Sequence, residues 1–292
     1  MTKLAIIANT HLLPETQQRI NALVGETLSY PTEDALPSIA ELIQRTGDAD
    51  AVLVGTGTHV TSEYLDACPL VRYIGICGTS QENVDMTAAT KRNVQVTNVV
   101  NYGDEPTAEF IFMQLVYLAR GLGDHQWRNQ PAELMGKSIG IIGLGSLGRS
   151  VAHLALAYKM NVSYFSRTRQ PDQEAIGVRY REKAELLQSS DIVIICTPSN
   201  YEAITKDEFD ILASNTILVQ ASSDTALNRD GFLQWIKHKN NFAIFDYAAG
   251  DENYEAYKNI EGVVFPKIIA GHTHETKQRL GDKVIENLAA YL

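Results

Sequence analysis

At 292 residues, 45% of them hydrophobic, the chain exceeds one average domain and carries enough apolar mass to bury two cores. Its 35 acidic residues against 25 basic ones give a formal charge of -10, so no general positive field exists to hold nucleic acid or an anionic membrane, and a small-molecule ligand is expected. The apolar run Leu4–Ala8 is shorter than a signal-peptide core and far below the ~20 residues of a membrane helix, which predicts a cytoplasmic protein. Cys68, Cys77 and Cys196 form no CxxC pair and lie in or beside apolar segments, as reduced buried thiols do; no chemistry and no metal are assigned to them.

Along the chain, short β-branched runs, "LAIIA" from Leu4, "AVLVG" from Ala51, "VRYIGI" from Val71 and "VQVTN" from Val94, alternate with segments whose apolar residues recur at helical spacing, "ETQQRINALV" and "SIAELIQRT". This alternation predicts a parallel sheet covered by helices. It pauses at a long apolar-rich helix from Glu105 to about Gln126, with Pro106 suited to the first turn, which reads as a connection between domains. A second series follows: strands in "KSIGIIGLG", "NVSYFSR", "DIVIICTP", "NTILVQAS" and "FAIFDYA", with helices in "SVAHLALAYK", "KAELLQ", "KDEFDILA" and "RDGFLQWIKHK". The closing "ETKQRLGDKVIENLAAYL" is a terminal helix that packs back on the first domain. The expected fold class is α/β with two doubly wound parallel-sheet domains.

Between the first strand and helix of the second series stands "GIIGLGSLGRS", with Gly143, Gly145 and Gly148 in GxGxxG spacing. In that context the first glycine permits the tight turn, the second lets backbone amides, with Ser146 and Leu147, approach a pyrophosphate, and the third allows close packing of helix on strand. At the end of the next strand an acidic residue usually receives the adenosine ribose. This chain has "YFSRTR" instead. Ser166, Arg167 and Arg169 are suited to hydrogen-bond a 2′-phosphate, each charge-assisted bond contributing roughly 1.5 to 3 kcal/mol, so NADP is expected to be preferred, with NAD also accepted.

With this loop, the long helix before it and the preceding α/β domain, the chain resembles the D-isomer-specific 2-hydroxyacid dehydrogenases over nearly its whole length; "VRYIGICGTSQENVDMTAATKRNVQVTNVVNYGDEPTAEFIFMQLVYLAR" is similar to that family's substrate-domain core and interdomain helix. The resemblance implies a flavodoxin-like substrate domain from both chain ends, 1–103 plus 274–292, and a Rossmann-type NAD(P)-binding domain, 104–273. It also implies hydride transfer between nicotinamide and a 2-oxo or 2-hydroxy acid, and a homodimer paired through the cofactor domains. Asp246 matches the residue that binds the nicotinamide amide, Thr197 and Pro198 the strand end lining the cofactor, and Gly78, Thr79, Asn101 and Tyr102 the loops that meet the substrate.

Family chemistry uses an arginine to clamp the substrate, a histidine to exchange the proton and a glutamate to hold the histidine. All three positions are changed. The arginine of "ILVNTARG" becomes Ser223 in "ILVQASSD"; the glutamate of "DVFExEP" becomes Asp251 in "DYAAGDE"; the histidine of "NVILTPHIAGHTPE" becomes Ile268 in "GVVFPKIIAGHTHE". The substrate loop "GVGxDN" reads "GTSQEN", keeping Gly78 and placing Ser80 at the second glycine. Lys267 is then the leading proton donor, its pKa expected to fall toward neutrality beside an apolar cleft, and His272 is the next candidate. Two functional readings result: an NAD(P)-dependent oxidoreductase with altered catalytic residues, and a silent NAD(P)-binding sensor or interaction protein. Turnover of NADPH with a carbonyl compound separates them.

Overall fold

In the computed structural model, which describes residues 2–30, 36–198, 201–221, 226–238 and 240–292, the chain divides into two compact units, 1–102 with 273–292, and 103–272. The first unit opens with β1 (Lys3–Ile6), α1 (Pro14–Val24), β2 (Glu26–Ser29), α2 (Ile39–Thr46), β3 (Ala51–Val54), α3 (Ser62–Ala67), β4 (Tyr73–Ile76), α4 (Met86–Lys91) and β5 (Gln95–Thr97). Its strands form one all-parallel sheet in the order β2-β1-β3-β4-β5, the flavodoxin-like arrangement expected.

The second unit holds α5 (Asp104–Arg120), β6 (Ser138–Ile142), α6 (Ser146–Ala157), β7 (Asn161–Phe165), α7 (Pro171–Ala175), β8 (Arg179–Tyr180), α8 (Lys183–Ser189), β9 (Ile192–Ile195), β10 (Ile217–Gln220), α9 (Arg229–Trp235), β11 (Phe242–Phe245), α10 (Asp251–Tyr257) and β12 (Val263–Val264). Its parallel sheet runs β12-β11-β10-β9-β6-β7-β8. The order reverses between β6 and β9, which is the topological switch point of a Rossmann-type sheet and the place where such sheets take ligands. Finally α11 (His274–Tyr291) returns to the first unit, capped by the Thr273 side chain.

The central strands of both sheets are buried on both faces, which is why they read as continuous apolar runs. In β9, Ile192 and Ile194 face one core while Val193 and Ile195 face the other. In β1, Leu4 and Ile6 join the core completed by Leu280, Val284 and Leu288 of α11, whereas Ala5, and Ile7 just beyond the strand, join the opposite core. The packing of α11 on α1 is close enough that a Cβ on Gly281 would lie 2.3 Å from Thr16 Oγ1.

The long helix is shorter than its apolar pattern suggests. It ends at Arg120 because Gly121 takes a left-handed conformation and the amides of Gly121 and Leu122 turn back to the carbonyls of Leu118 and Tyr117. Leaving the helix lets Trp127 bury itself completely, its indole N–H donating to the Asn215 carbonyl at 2.7 Å with the Arg128 guanidinium over its ring. The expected helix in "KDEFDILA" is a short 3-10 turn, Asp207–Ile211. Among the described residues no helix is long and apolar enough to cross a membrane.

Candidate functional site

The chemistry-bearing residues of the second unit collect at the carboxyl ends of its strands. After β6, Gly143 adopts φ +93° and its N–H donates to the Phe165 carbonyl. A Cβ there would lie 2.8 Å from the Cys196 carbonyl oxygen, and a Cβ on Gly148 would lie 2.2 Å from the Gly143 carbonyl oxygen. Both positions therefore demand glycine for steric reasons. Gly145 differs: it caps α6, and a Cβ there would meet nothing within 4 Å. The loop thus leaves open space at the start of a 12-residue helix, whose unpaired amides favour an anion. Leu147 packs against the core, while the Ser146 hydroxyl donates to the Asp104 carboxylate at 2.8 Å. Asp104, 42 residues away in sequence, carries no motif that announces this contact.

Beyond β7, Ser166 donates to the Thr168 carbonyl. The two arginines are unlike. Arg169 grips Glu174, with Nε 3.0 Å from Oε1 and a second bond to Oε2, and lies over the Tyr180 ring; Glu174 also accepts the Tyr164 hydroxyl at 2.8 Å. Arg167 is exposed and has no hydrogen-bond or ion-pair partner among the described residues. Beyond β9, the Thr197 hydroxyl is buried without a partner beside Gly143, and Pro198 is exposed. A buried hydroxyl left unsatisfied and an open glycine cradle both fit a bound dinucleotide.

At the end of β11, Asp246 is only 4% exposed. One of its oxygens accepts the amides of Ala248 and Ala270, each at 3.0 Å, and burial pushes its carboxyl above the usual range against the pull of those bonds. The next residue, Tyr247, donates its amide to the Ile268 carbonyl and its hydroxyl to Asp251, the first residue of α10. Lys267 sends its Nζ over the Tyr247 ring, 5.3 Å from the centroid, and the Tyr254 ring, at 5.8 Å; the two rings meet edge to face at 5.2 Å.

The expectation that an apolar cleft lowers the Lys267 pKa is corrected by this geometry. Lys267 is exposed, and the Tyr247 oxygen beside it, backed by the Asp251 carboxylate, favours the ammonium and raises its pKa. The bond to Asp251 likewise raises the Tyr247 phenol. Asp251 thus acts on a tyrosine, and Tyr254 joins the cluster although its sequence surroundings gave no sign of it. His272 is exposed and closes a tight turn with its amide on the Ile269 carbonyl. Ile268 is 52% exposed. Ser223 lies outside the described residues. No group of three or more His, Cys, Asp or Glu able to hold a metal occurs among the described residues.

In the first unit, Gly78 is confined, since a Cβ would lie 2.3 Å from Thr56 Cγ2. Its carbonyl accepts the Val99 amide, the Thr79 hydroxyl donates to the Val99 carbonyl, and Asn98 donates to the Thr79 carbonyl at 2.6 Å. Asn101 takes a left-handed φ of +57°, and the Tyr102 carbonyl accepts Arg279 Nε at 2.9 Å. These four positions form one pinned loop cluster.

The family profile described as D-isomer specific 2-hydroxyacid dehydrogenase, NAD binding domain, matches residues 111–258. A glyoxylate reductase of Thermococcus kodakarensis is 26% identical over an alignment covering 97% of this chain and 91% of the relative. A Staphylococcus saprophyticus protein named for 2-hydroxyacid dehydrogenase is 30% identical, covering 84% of this chain and 83% of its own. The fold of Escherichia coli D-lactate dehydrogenase superposes with a TM-score of 0.83 at 19% identity, covering 99% of this chain and 96% of that one. Profile, sequence kinship and the phosphate loop converge: the chain belongs to the D-isomer specific 2-hydroxyacid dehydrogenase family.

Proposed function

We propose that this protein is an NAD(P)-dependent reductase acting on a 2-oxo acid or a related carbonyl compound, with NADP preferred. The carrying observation is the phosphate loop, in which Gly143 and Gly148 are sterically obligatory while Gly145 opens onto empty space at the start of α6. When bound, the reduced nicotinamide supplies the hydride. The chain's own residues would hold the dinucleotide: the amides around Gly145 to Leu147 would meet the pyrophosphate, Ser166 and Arg167 the adenosine ribose and its 2′-phosphate, and Thr197 and Asp246 the nicotinamide end. Arg169 is engaged by Glu174, so selectivity for the 2′-phosphate falls chiefly to Arg167. The substrate loop is assigned to Gly78, Thr79, Asn101 and Tyr102.

Homodimerisation through the second unit is part of this reading. Met113 and Tyr117, one turn apart on α5, Leu122 just after it, and Tyr158, stacked on Phe112, are large apolar groups at least 41% exposed. The cytoplasm is the assigned compartment, in keeping with three unpaired thiols. The deciding experiment titrates the purified protein with NADPH and NADH by fluorescence, then follows NADPH absorbance with glyoxylate, pyruvate, longer 2-oxo acids and neutral aldehydes or ketones. Tighter NADPH binding with turnover of one of these is expected. Tight binding without turnover overturns the enzyme reading in favour of a cofactor sensor, and failure to bind either nucleotide overturns both.

A further inference from the structure

The strongest unassigned constellation lies at the carboxyl edge of the second sheet, directly after buried Asp246. Lys267 Nζ lies over two tyrosine rings, and one of those tyrosines is bonded to a carboxylate. An ammonium over an aromatic face is drawn to the ring's negative quadrupole, so the pair of rings fixes where an otherwise freely rotating lysine end sits. The Asp251 bond fixes the Tyr247 ring, and the Tyr247 amide on the Ile268 carbonyl fixes the backbone beneath it. Doubly wound sheets take dinucleotides in the crevice at the carboxyl ends of their strands, about the switch point, which here falls between β6 and β9; the cluster stands at the carboxyl ends of β11 and β12 in the same sheet.

Resting on the reductase reading, we propose that Lys267 is the proton donor of the reaction, with Tyr247 and Asp251 as its positioning residues. As two electrons reach the substrate carbon as hydride from the reduced cofactor, the carbonyl π pair moves to oxygen. One N–H bond of the Lys267 ammonium breaks and an O–H bond forms on that oxygen. The cofactor is oxidised, the carbonyl is reduced, and the neutral lysine recovers its proton from water, which its exposed position admits. This assignment has a directional consequence. A histidine titrating near pH 6.5 to 7 serves both directions at neutrality, whereas a lysine that stays charged is present at neutrality almost wholly as the acid that reduction needs and hardly at all as the base that oxidation needs. Reduction is therefore the competent direction at neutral pH, and oxidation of the hydroxy product emerges only in alkali.

Two measurements test the assignment. In the protein without cofactor, the rate of reductive methylation of Lys267 by formaldehyde, followed against pH by peptide mass spectrometry, gives the amine's titration. It is expected above the ordinary lysine range and lower in Tyr247→Phe; an ordinary or depressed value, unchanged in that variant, overturns the positioning. With NADPH and a reducible carbonyl, Lys267→Ala is expected to lose about 10²- to 10⁴-fold in turnover while NADPH affinity measured by fluorescence stays within about twofold, and methylammonium is expected to restore part of the rate. Lys267→Arg keeps the charge but holds its proton too tightly to give it up, so it should be as slow as Lys267→Ala. Full turnover in Lys267→Arg reduces Lys267 to an electrostatic anchor and overturns the proposal. So does a neutral pH break that vanishes in His272→Gln. A wild-type protein that reduces no carbonyl removes the reductase reading itself, and this assignment with it.

Discussion

The Asp246 carboxylate accepts the Ala270 amide at 3.0 Å, so one buried side chain at the end of β11 also holds the turn 24 residues downstream that precedes α11. The same oxygen serves Ala248, and among the described residues no cation pairs with the buried charge.

This arrangement makes Asp246→Asn informative, because an amide oxygen keeps both accepted bonds while the buried charge is removed. Burial raises the folded-state pKa above its unfolded value, so the wild type has its full contribution to stability below the unfolded carboxyl range, about pH 4, and loses it as pH rises through the folded value. Asp246→Asn should therefore raise the Tm relative to wild type at about pH 7, with the advantage shrinking toward about pH 4. Thermal unfolding at several pH values checks this, and an advantage that grows on acidification would contradict it.

Gly148→Ala and Gly145→Ala should fail in different ways. At Gly148 the new Cβ meets backbone at 2.2 Å, and neither the helix nor the strand can yield cheaply, so a loss of roughly 1 to 3 kcal/mol in unfolding free energy is expected. At Gly145 the Cβ meets nothing, so the Tm should hold. NADPH affinity should nevertheless drop about tenfold or more as the methyl takes space intended for the pyrophosphate. Calorimetry and fluorescence titration on the same two variants separate the effects.

The two arginines after β7 also separate. Arg167→Ala should weaken NADPH by about 10- to 100-fold, equivalent to one charge-assisted bond, and leave NADH nearly unchanged. Arg169→Ala removes a surface pair with Glu174 and should alter the NADPH to NADH ratio by less than about threefold. Equal effects of the two substitutions would return Arg169 to the 2′-phosphate site.

Sequence patterns revealed the sheets because both are buried on both faces, which turns each central strand into an apolar run such as "IVII" or "AVLV". The edge strand β2, "ETLS", has no residue fully buried and gives no such run. The glycine spacing of the phosphate loop was equally legible, since Gly143 and Gly148 answer local steric demands and Gly145 leaves open space between them. The Lys267 cluster was legible only in part. Lys267 and Asp251 could be named from the family motifs and Tyr254 could not, and the sign of the lysine's pKa depends on where Tyr247 and Asp251 point, which no spacing encodes. The Asp104 bond to Ser146 joins positions 42 apart and was invisible for the same reason.

The chain leaves the first unit at Tyr102 and returns to it at Thr273, which gives synthesis on the ribosome a definite order. Every strand of the first sheet emerges early, yet one of its two cores lacks Leu280, Val284 and Leu288 until α11 is made. The second unit, contiguous in sequence, can close first. Throughout that interval Leu4, Ile6 and Tyr73 await their cover, so the first unit is the half of the nascent protein on which a chaperone would be expected to dwell, and synthesis of α11 is the event that releases it.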